Sequence, residues 1–291
     1  MIIVMIGFGE AAQAMARGFA AETRRPAVRA FDIRLDDAAV AASLRMVAAE
    51  IYVELASTLN DAVAGADIIL SLVQGSVARK VAAEVAPMLT RGQIYVDLNS
   101  ISPAAKAEIG EKIAGGDGLC VEGAIMDAVT PHRHKVPILL AGPDAERCAN
   151  LLNALGMSTE PVGSKLGQAS AIKMIRSVMV KGVEALILEA MTAAEIAGVT
   201  ERILDSVNGT FPGLDWRKLT AHYLKRTHEH GARRVSEMKE SAATLRGLGM
   251  EPYMSDAIGE RIAQGHARLA SHPYDGGAAY EDLLAILARR D

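Results

Sequence analysis

Ile2-Ile3-Val4-Met5-Ile6-Gly7-Phe8-Gly9-Glu10-Ala11-Ala12 decides how the chain reads. Five apolar residues in unbroken succession fit a strand covered on both faces. They run straight into a G-x-G-x-x-A turn, and Glu10 to Ala21 then reads as helix. Each small residue has a physical reason to be there. Gly7 permits the tight turn, Gly9 carries no Cβ to obstruct a pyrophosphate, and Ala12 lets the helix pack close to the strand. The N–H groups that open the helix have no partners of their own and can receive phosphates. Gly7, Phe8, Gly9, Glu10 and Ala11 are therefore candidate dinucleotide contacts.

Outward from this turn, strands and helices alternate. Val28 to Phe31 reads as a strand, Asp36 to Val47 as a helix and Ile51 to Val53 as a short strand. Asp67 to Leu72 is the next strand, with a helix from about Ser76 to Ala86. Ile94 to Val96 is a strand, and Ser102 as cap with Pro103 at the first helical position opens a helix to Ala114. Leu119 to Val121 and Pro137 to Ala141 are further strands. Such alternation means a mainly parallel sheet with right-handed crossovers. It stops near Val162-Gly163. From Leu166 to Gly198 a proline-free helical pattern sets Ile172, Ile175, Met179, Val183, Leu186 and Ala190 on one face, and more helices follow, broken at Gly209, Pro212, Gly231, Gly247 and Pro252. The fold class expected is α/β: an N-terminal Rossmann-type mainly parallel sheet over 1–163, then an all-α C-terminal domain over 164–291.

Composition agrees. At 291 residues the chain is about twice one ordinary domain, and with half its residues apolar it has ample material for two cores. The net charge is −4 and no basic block is present, so nucleic acid and anionic membranes are not indicated as partners. No apolar run reaches the ~18 residues of a membrane span. Cys120 and Cys148 stand alone without metal spacing, as buried thiols of a reducing compartment do, and no metal is expected. The expectation is a soluble cytoplasmic protein.

Asp32 lies 23 residues after Gly9, at the end of the second strand. An acid there hydrogen-bonds the adenosine ribose and favours NAD, because a 2′-phosphate meets a like charge. Arg34, two residues on, could hold such a phosphate, so NADP stays open.

The remaining segments resemble the β-hydroxyacid dehydrogenase family, which includes 3-hydroxyisobutyrate and 6-phosphogluconate dehydrogenases. Ile68-Ile69-Leu70-Ser71-Leu72-Val73-Gln74 is similar to the family's fourth strand and the loop over the cofactor; the resemblance implies that Val73 and Gln74 line the nicotinamide ribose side. Val96-Asp97-Leu98-Asn99-Ser100-Ile101-Ser102-Pro103 is similar to its D-x-S-T-x-x-P segment, which makes Asn99 a cofactor contact and Ser100 a substrate contact. Val121-Glu122-Gly123-Ala124-Ile125-Met126-Asp127-Ala128 stands where the family carries D-A-P-V-S-G-G. Met126-Asp127-Ala128 replaces the Ser-Gly-Gly that grips a substrate carboxylate. Asp127 would repel a carboxylate unless His132, Arg133, His134 or Lys135 supplies a cation; these four are equally a solvated loop.

Gly163-Ser164-Lys165-Leu166-Gly167-Gln168-Ala169-Ser170-Ala171-Ile172-Lys173 resembles the family's G-x-x-G-x-G-x-x-x-K stretch, whose lysine is the catalytic acid/base. The resemblance assigns that role to Lys173, with Ser177 where asparagine is usual. By helical spacing Lys173, Arg176, Ser177 and Lys181 form a polar stripe beside the apolar seam, suited to an interdomain cleft, and neighbouring cations with partial burial would bring the lysine toward neutrality. Arg176 and Lys181 could hold an anionic substrate group, or be a solvent-facing stripe. Val180 replaces an acid that decarboxylating relatives carry. Met238-Lys239-Glu240 resembles the family's late K-D pair, making Lys239 a cofactor contact, with a plain surface lysine as the other reading. For Trp216, His222, Tyr223, Tyr253 and Met254, core packing is the expectation.

Together these features imply a non-decarboxylating, NAD- or NADP-dependent dehydrogenase or reductase of a small, acidic hydroxyl or carbonyl substrate, working as a homodimer. A non-catalytic dinucleotide sensor or assembly protein and a reductase of C=N bonds are the alternatives.

Overall fold

The structure is a computed structural model that describes residues 1–23, 25–272 and 279–289. By its contacts the chain divides into two compact units, Met1–Lys173 and Met174 onward. The expected boundary after Gly163 falls at the end of the last strand, and the first unit continues into the start of the long helix that follows.

Unit 1 holds eight strands: β1 Ile2–Ile6, β2 Ala27–Phe31, β3 Val53–Leu55, β4 Ile68–Ser71, β5 Ile94–Asp97, β6 Leu119–Ile125, β7 Pro137–Ala141 and β8 Ser158–Gly163. Its helices are α1 Glu10–Ala20, α2 Ala38–Glu50, α3 Leu59–Val63, α4 Ala78–Val85, α5 Pro103–Ala114, α6 Val129–His132 and α7 Ala145–Asn153. The strands form one sheet in the order β3-β2-β1-β4-β5-β6-β7-β8, parallel throughout except for antiparallel β6 and β7. The order reverses between β1 and β4, which opens a crevice at the carboxyl ends of these strands.

The unbroken apolar run of β1 is explained by its two covers. Ile3 and Met5 pack on one face with Leu70, Val96 and the inner side of α1, while Val4 and Ile6 pack on the other with Ile69, Tyr95 and Ile109.

Several boundaries differ from the sequence expectation, each for a local reason. Asp36 ends a 3₁₀ turn and Asp37 caps α2, its carboxylate accepting the Ala39 N–H at 3.0 Å. β3 starts after Tyr52, whose φ of +58° ends the preceding helix with a left-handed step. β8, not expected as a strand, adds parallel to β7 and carries Pro161, a residue that edge strands tolerate.

Unit 2 is helical: the remainder of α8 Gln168–Ile196, then α9 Thr200–Thr210, α10 Trp216–Gly247, α11 Tyr253–Ala270 and α12 Tyr280–Ala288. Its core gathers Leu188, Leu224, Met238, Ile262 and Leu284, with Trp216 and Tyr223 packed against it. Two expectations are corrected. Gly231 does not break a helix: it lies inside α10, where a Cβ would stand 2.4 Å from the His266 side chain, so it admits α11. Tyr253 and Met254 are exposed rather than packed. The seam of α8 also lies open, with Ile175, Met179 and Leu186 exposed. Among the described residues no helix is long and apolar enough to cross a membrane, and no group of His, Cys, Asp and Glu could hold a metal ion.

Candidate active site

Parallel register brings the candidate residues of unit 1 together at one sheet edge. Ile6 pairs with Phe31 on one side and Ser71 on the other, and Ser71 pairs with Asp97. The segments that follow these strands, 7–12, 32–34, 72–75 and 98–102, therefore emerge side by side. Gly7 has φ +88° and a Cβ there would stand 2.6 Å from the Leu72 carbonyl oxygen, so the turn needs glycine twice over. A Cβ on Gly9 would meet nothing within 4 Å. That open cradle at the start of α1 fits the pyrophosphate of a dinucleotide, and Gly9 sits at the N-cap position of α1.

Phe8 is fully buried and contributes its backbone: its N–H donates to Asp32 Oδ2 at 2.8 Å. The rest of the Asp32 carboxylate is taken by Arg34, whose backbone N–H and Nε donate to Oδ1 at 3.0 and 2.9 Å and whose Nη2 donates to Oδ2 at 2.8 Å. Burial opposes ionisation of Asp32, but these hydrogen bonds and the guanidinium charge outweigh it and hold the carboxyl below its ordinary range. Arg34 remains half exposed. Glu10 accepts a hydrogen bond from Thr130 Oγ1 at 2.9 Å, and Ala11 lies one residue further into α1.

Val73 is half-buried beside Gly7, Gln74 is exposed, and Gly75 approaches Ile101 and the Ser100 carbonyl. Asn99 is buried: its Nδ2 donates to Ser71 Oγ at 3.0 Å, and its Oδ1 has no hydrogen-bond partner. Next to it, Lys173 Nζ donates to Ser100 Oγ at 2.6 Å. Thus Gly7, Gly9, Asp32, Asn99, Ser100 and Lys173 belong to one unit and, apart from the lysine, to one sheet edge.

The replaced Ser-Gly-Gly segment is now legible. Met126 donates its N–H to the Pro137 carbonyl at 2.9 Å and packs against Ala124, Ala141 and Ala169. Asp127 is exposed, with His132 Nε2 3.3 Å from its Oδ2. His134 and Lys135 turn instead to Glu22, at 3.2 and 2.8 Å. So, among the described ion-pair contacts, His132 is the residue of the four-residue run that reaches Asp127.

In unit 2, Arg176 is exposed on α8 and Lys239 is exposed on α10. Lys181 is buried; it pairs with Glu237 at 2.9 Å and donates to Ser177 Oγ at 3.2 Å. Burial pushes the Lys181 ammonium below its ordinary range, and Glu237 opposes this only in part. The stripe expected from spacing is thus split: Lys173 bonds Ser100, whereas Ser177 and Lys181 bond each other.

Residues not singled out from sequence complete the edge. Lys106, 1% exposed, donates to the Asp97 carbonyl at 2.7 Å and to Asp97 Oδ1 at 2.9 Å; Oδ1 also accepts the Asn99 N–H at 2.8 Å. The signal was present: Lys106 shares the inner stripe of α5 with Ile109 and Ile113, where a charge is out of place. Both thiols are pushed up to about 12 by burial and are unreactive at neutral pH.

Comparisons with known proteins give the family and the fold's relatives. Residues 2–100 match a family described as NADP oxidoreductase coenzyme F420-dependent, and residues 194–264 match a domain of unknown function, DUF1932. A conserved hypothetical protein of Sinorhizobium meliloti 1021 is 49% identical, covering 99% of this chain and 96% of its own, with a TM-score of 0.82. Conserved protein MTH1747, whose structure was described as similar to 3-hydroxyacid dehydrogenases, is 31% identical over 94% of this chain and 100% of its own, with a TM-score of 0.74. The chain belongs to this 3-hydroxyacid dehydrogenase-like family. The fold of the family extends to 3-hydroxyisobutyrate dehydrogenase of Mycobacterium tuberculosis, 17% identical over 99% of both chains with a TM-score of 0.74. Within a 3-hydroxyacid dehydrogenase-like chain, Met126-Asp127-Ala128 marks this protein as a divergent member.

Proposed function

We propose that the chain is an NADP-using dehydrogenase or reductase of a small hydroxyl or carbonyl compound, acting without decarboxylation, with Lys173 as its acid/base. The observation that carries this reading is the 2.6 Å hydrogen bond from Lys173 Nζ to Ser100 Oγ, beside the glycine turn's open cradle. Bound nicotinamide supplies or accepts the hydride. In reduction the Lys173 ammonium donates a proton to the substrate oxygen as the carbon gains hydride; in oxidation neutral Lys173 takes the hydroxyl proton. Ser100 holds the amine in place by accepting one of its N–H bonds and keeps its own O–H for the substrate. Met126 and Asp127 are assigned to the substrate side, where the Asp127–His132 pair replaces a carboxylate grip. Ser177, which accepts a hydrogen bond from Lys181 at 3.2 Å, is assigned to orienting Lys173 or the substrate oxygen.

For the cofactor, four donors already fill the Asp32 carboxylate, so ribose hydroxyls would have to displace them. Its charge is neutralised by Arg34, which removes the repulsion of a 2′-phosphate and leaves an exposed guanidinium to receive it. Asn99 Oδ1, buried and unbonded, is assigned to the cofactor together with Gly7, Phe8, Gly9, Glu10, Ala11, Val73 and Gln74. A second copy of the chain is assigned to the open seam of Ile175, Met179 and Leu186; sedimentation of the Met179→Glu variant as monomer against parent dimer tests this.

The test is a screen of small hydroxy acids, semialdehydes and cyclic imines with both cofactors, followed by the absorbance of reduced nicotinamide. Lys173→Ala is expected to lower kcat on the best substrate by about 10²–10⁴. Arg34→Ala is expected to weaken NADP binding by about tenfold in calorimetry and to leave NAD binding within about threefold. Full rate in the lysine variant overturns the mechanism, and equal weakening of both cofactors overturns the NADP assignment.

A further inference from the structure

Glu122 is a carboxylate in an unlikely setting. It stands in β6 at 1% exposure, opposite Asp97 across the β5–β6 ladder. Its two oxygens are spent on the start of α8. Oε1 accepts the Ala169 N–H at 2.7 Å, with the Ser170 N–H at 3.5 Å, and Oε2 accepts the Ser170 hydroxyl at 3.0 Å. Helix starts carry unpaired N–H groups and partial positive charge, so an ionised acceptor is favoured there. Burial raises the Glu122 carboxyl above its ordinary range, and the nearby Lys106 charge and these N–H groups counter it only in part. A buried acid at this cost has a purpose beyond apolar packing.

Lys173 follows Ala169 by four residues and Ser170 by three, so it rises from the turn directly above the one Glu122 grips. The partner of Lys173 is fixed from below in the same way: Asp97, held by Lys106, accepts the Asn99 N–H and so sets the loop that carries Ser100. The entrance to α8 has other supports. Leu166 fills the space over Gly110 and Gly142, and Gly167 rests on Pro103. These hold the chain before the helix; Glu122 alone bonds its first-turn N–H groups at Ala169 and Ser170 among the described hydrogen bonds.

We propose that Glu122 is a positioning residue for Lys173: gripping the first turn of α8 fixes the height and rotation from which the lysine reaches Ser100. Its consequence for turnover rests on the acid/base reading of Lys173 given above, whereas the positioning itself does not.

The test needs no substrate. The full-length protein is labelled with trace acetic anhydride, and acetylation of Lys173 is measured by peptide mass spectrometry relative to exposed Lys80. Glu122→Ala is expected to raise Lys173 labelling about tenfold, and Ser100→Ala to raise it by a similar factor, because in each the amine loses a charge-assisted hydrogen bond. Glu122→Gln is expected to stay within about twofold of the parent, since its amide oxygen still accepts from Ala169 and its NH₂ donates to Ser170 Oγ. Buried Lys181, on the same helix but paired with Glu237, reports on general loosening and should not change. Should Glu122→Ala fail to fold, Ser170→Ala removes one of the carboxylate's partners and is expected to raise Lys173 labelling about threefold. Unchanged Lys173 labelling in both variants, or Lys181 rising in step with it, overturns the proposal. Full turnover by Lys173→Ala would overturn the acid/base reading and leave the labelling result standing.

Discussion

Lys173 Nζ sits 2.6 Å from Ser100 Oγ, across 73 positions of sequence and within one compact unit. The pair joins the first turns of α8 to the loop after β5, where open α/β sheets place their ligands. An ammonium on a flexible four-carbon stem gains direction from such an anchor. Ser100→Ala is therefore expected to cut kcat by about a hundredfold while KM moves little, because a misplaced proton carrier loses transition-state geometry more than binding. Steady-state kinetics on the best substrate checks this. A variant that keeps parental kcat would show that the hydroxyl is not used.

The two glycines of the turn make separable predictions. Gly7 has a positive φ and faces the Leu72 carbonyl, so Gly7→Ala carries both backbone strain and a clash. It is expected to destabilise the protein by about 1–3 kcal/mol. Gly9 faces open space. Gly9→Ala should leave the melting temperature unchanged yet weaken dinucleotide binding by at least about tenfold, since its Cβ enters the phosphate cradle. Thermal melts beside calorimetric titrations decide it. Equal loss of stability in both variants would mean that Gly9 is structural.

In unit 2, Glu184 is fully buried and takes a two-pronged ion pair from Arg234, 4% exposed, with Thr227 Oγ1 donating to it at 2.7 Å. Removing one partner strands a buried charge. Arg234→Met alone is expected to cost about 3–5 kcal/mol, and the double variant Glu184→Leu/Arg234→Met to recover most of that. Urea unfolding of the two variants and the parent gives both numbers. Additive losses in the double variant would mean the site is limited by packing, not by charge.

Much of unit 1 was legible because its signals are local. The apolar run Ile2–Ile6 and the glycines after it act within a few residues of each other and set β1 and its turn, and Asp32 marks the end of β2 at a spacing read directly from the sequence. What was not legible depends on distant chain. That the Asp32 carboxylate accepts the N–H of Phe8, 24 positions earlier, shows only in the structure. Gly231 reads as a break until His266 is seen packed on it. Lys181 shares a helical stripe with Lys173 by spacing, yet Glu237, 56 positions further on, draws it into a separate buried pair. Glu122 passes as a single charge in a strand, because its purpose lies in the first turn of a helix more than forty residues away.

His134 offers a pH test of the turn that follows Met126-Asp127-Ala128. Its ring is 3% exposed and lies 4.9 Å from the Phe19 ring, between Gly18 and Gly156. Burial depresses its pKa below the ordinary 6.5; the charge of Glu22 opposes this, while Lys135 and Arg133 add to it. The folded state thus binds this proton less readily than the unfolded chain. The resulting stability is present above about pH 6.5 and is lost as pH falls toward the depressed folded value, with a limiting slope of about 1.4 kcal/mol per pH unit in that window. Unfolding by urea at pH 7.5 and 5.5, followed by far-ultraviolet circular dichroism, should show a larger acid loss in the parent than in His134→Gln. Carboxylates common to both proteins cancel in that difference, so identical pH dependence would mean His134 gains its proton as easily folded as unfolded.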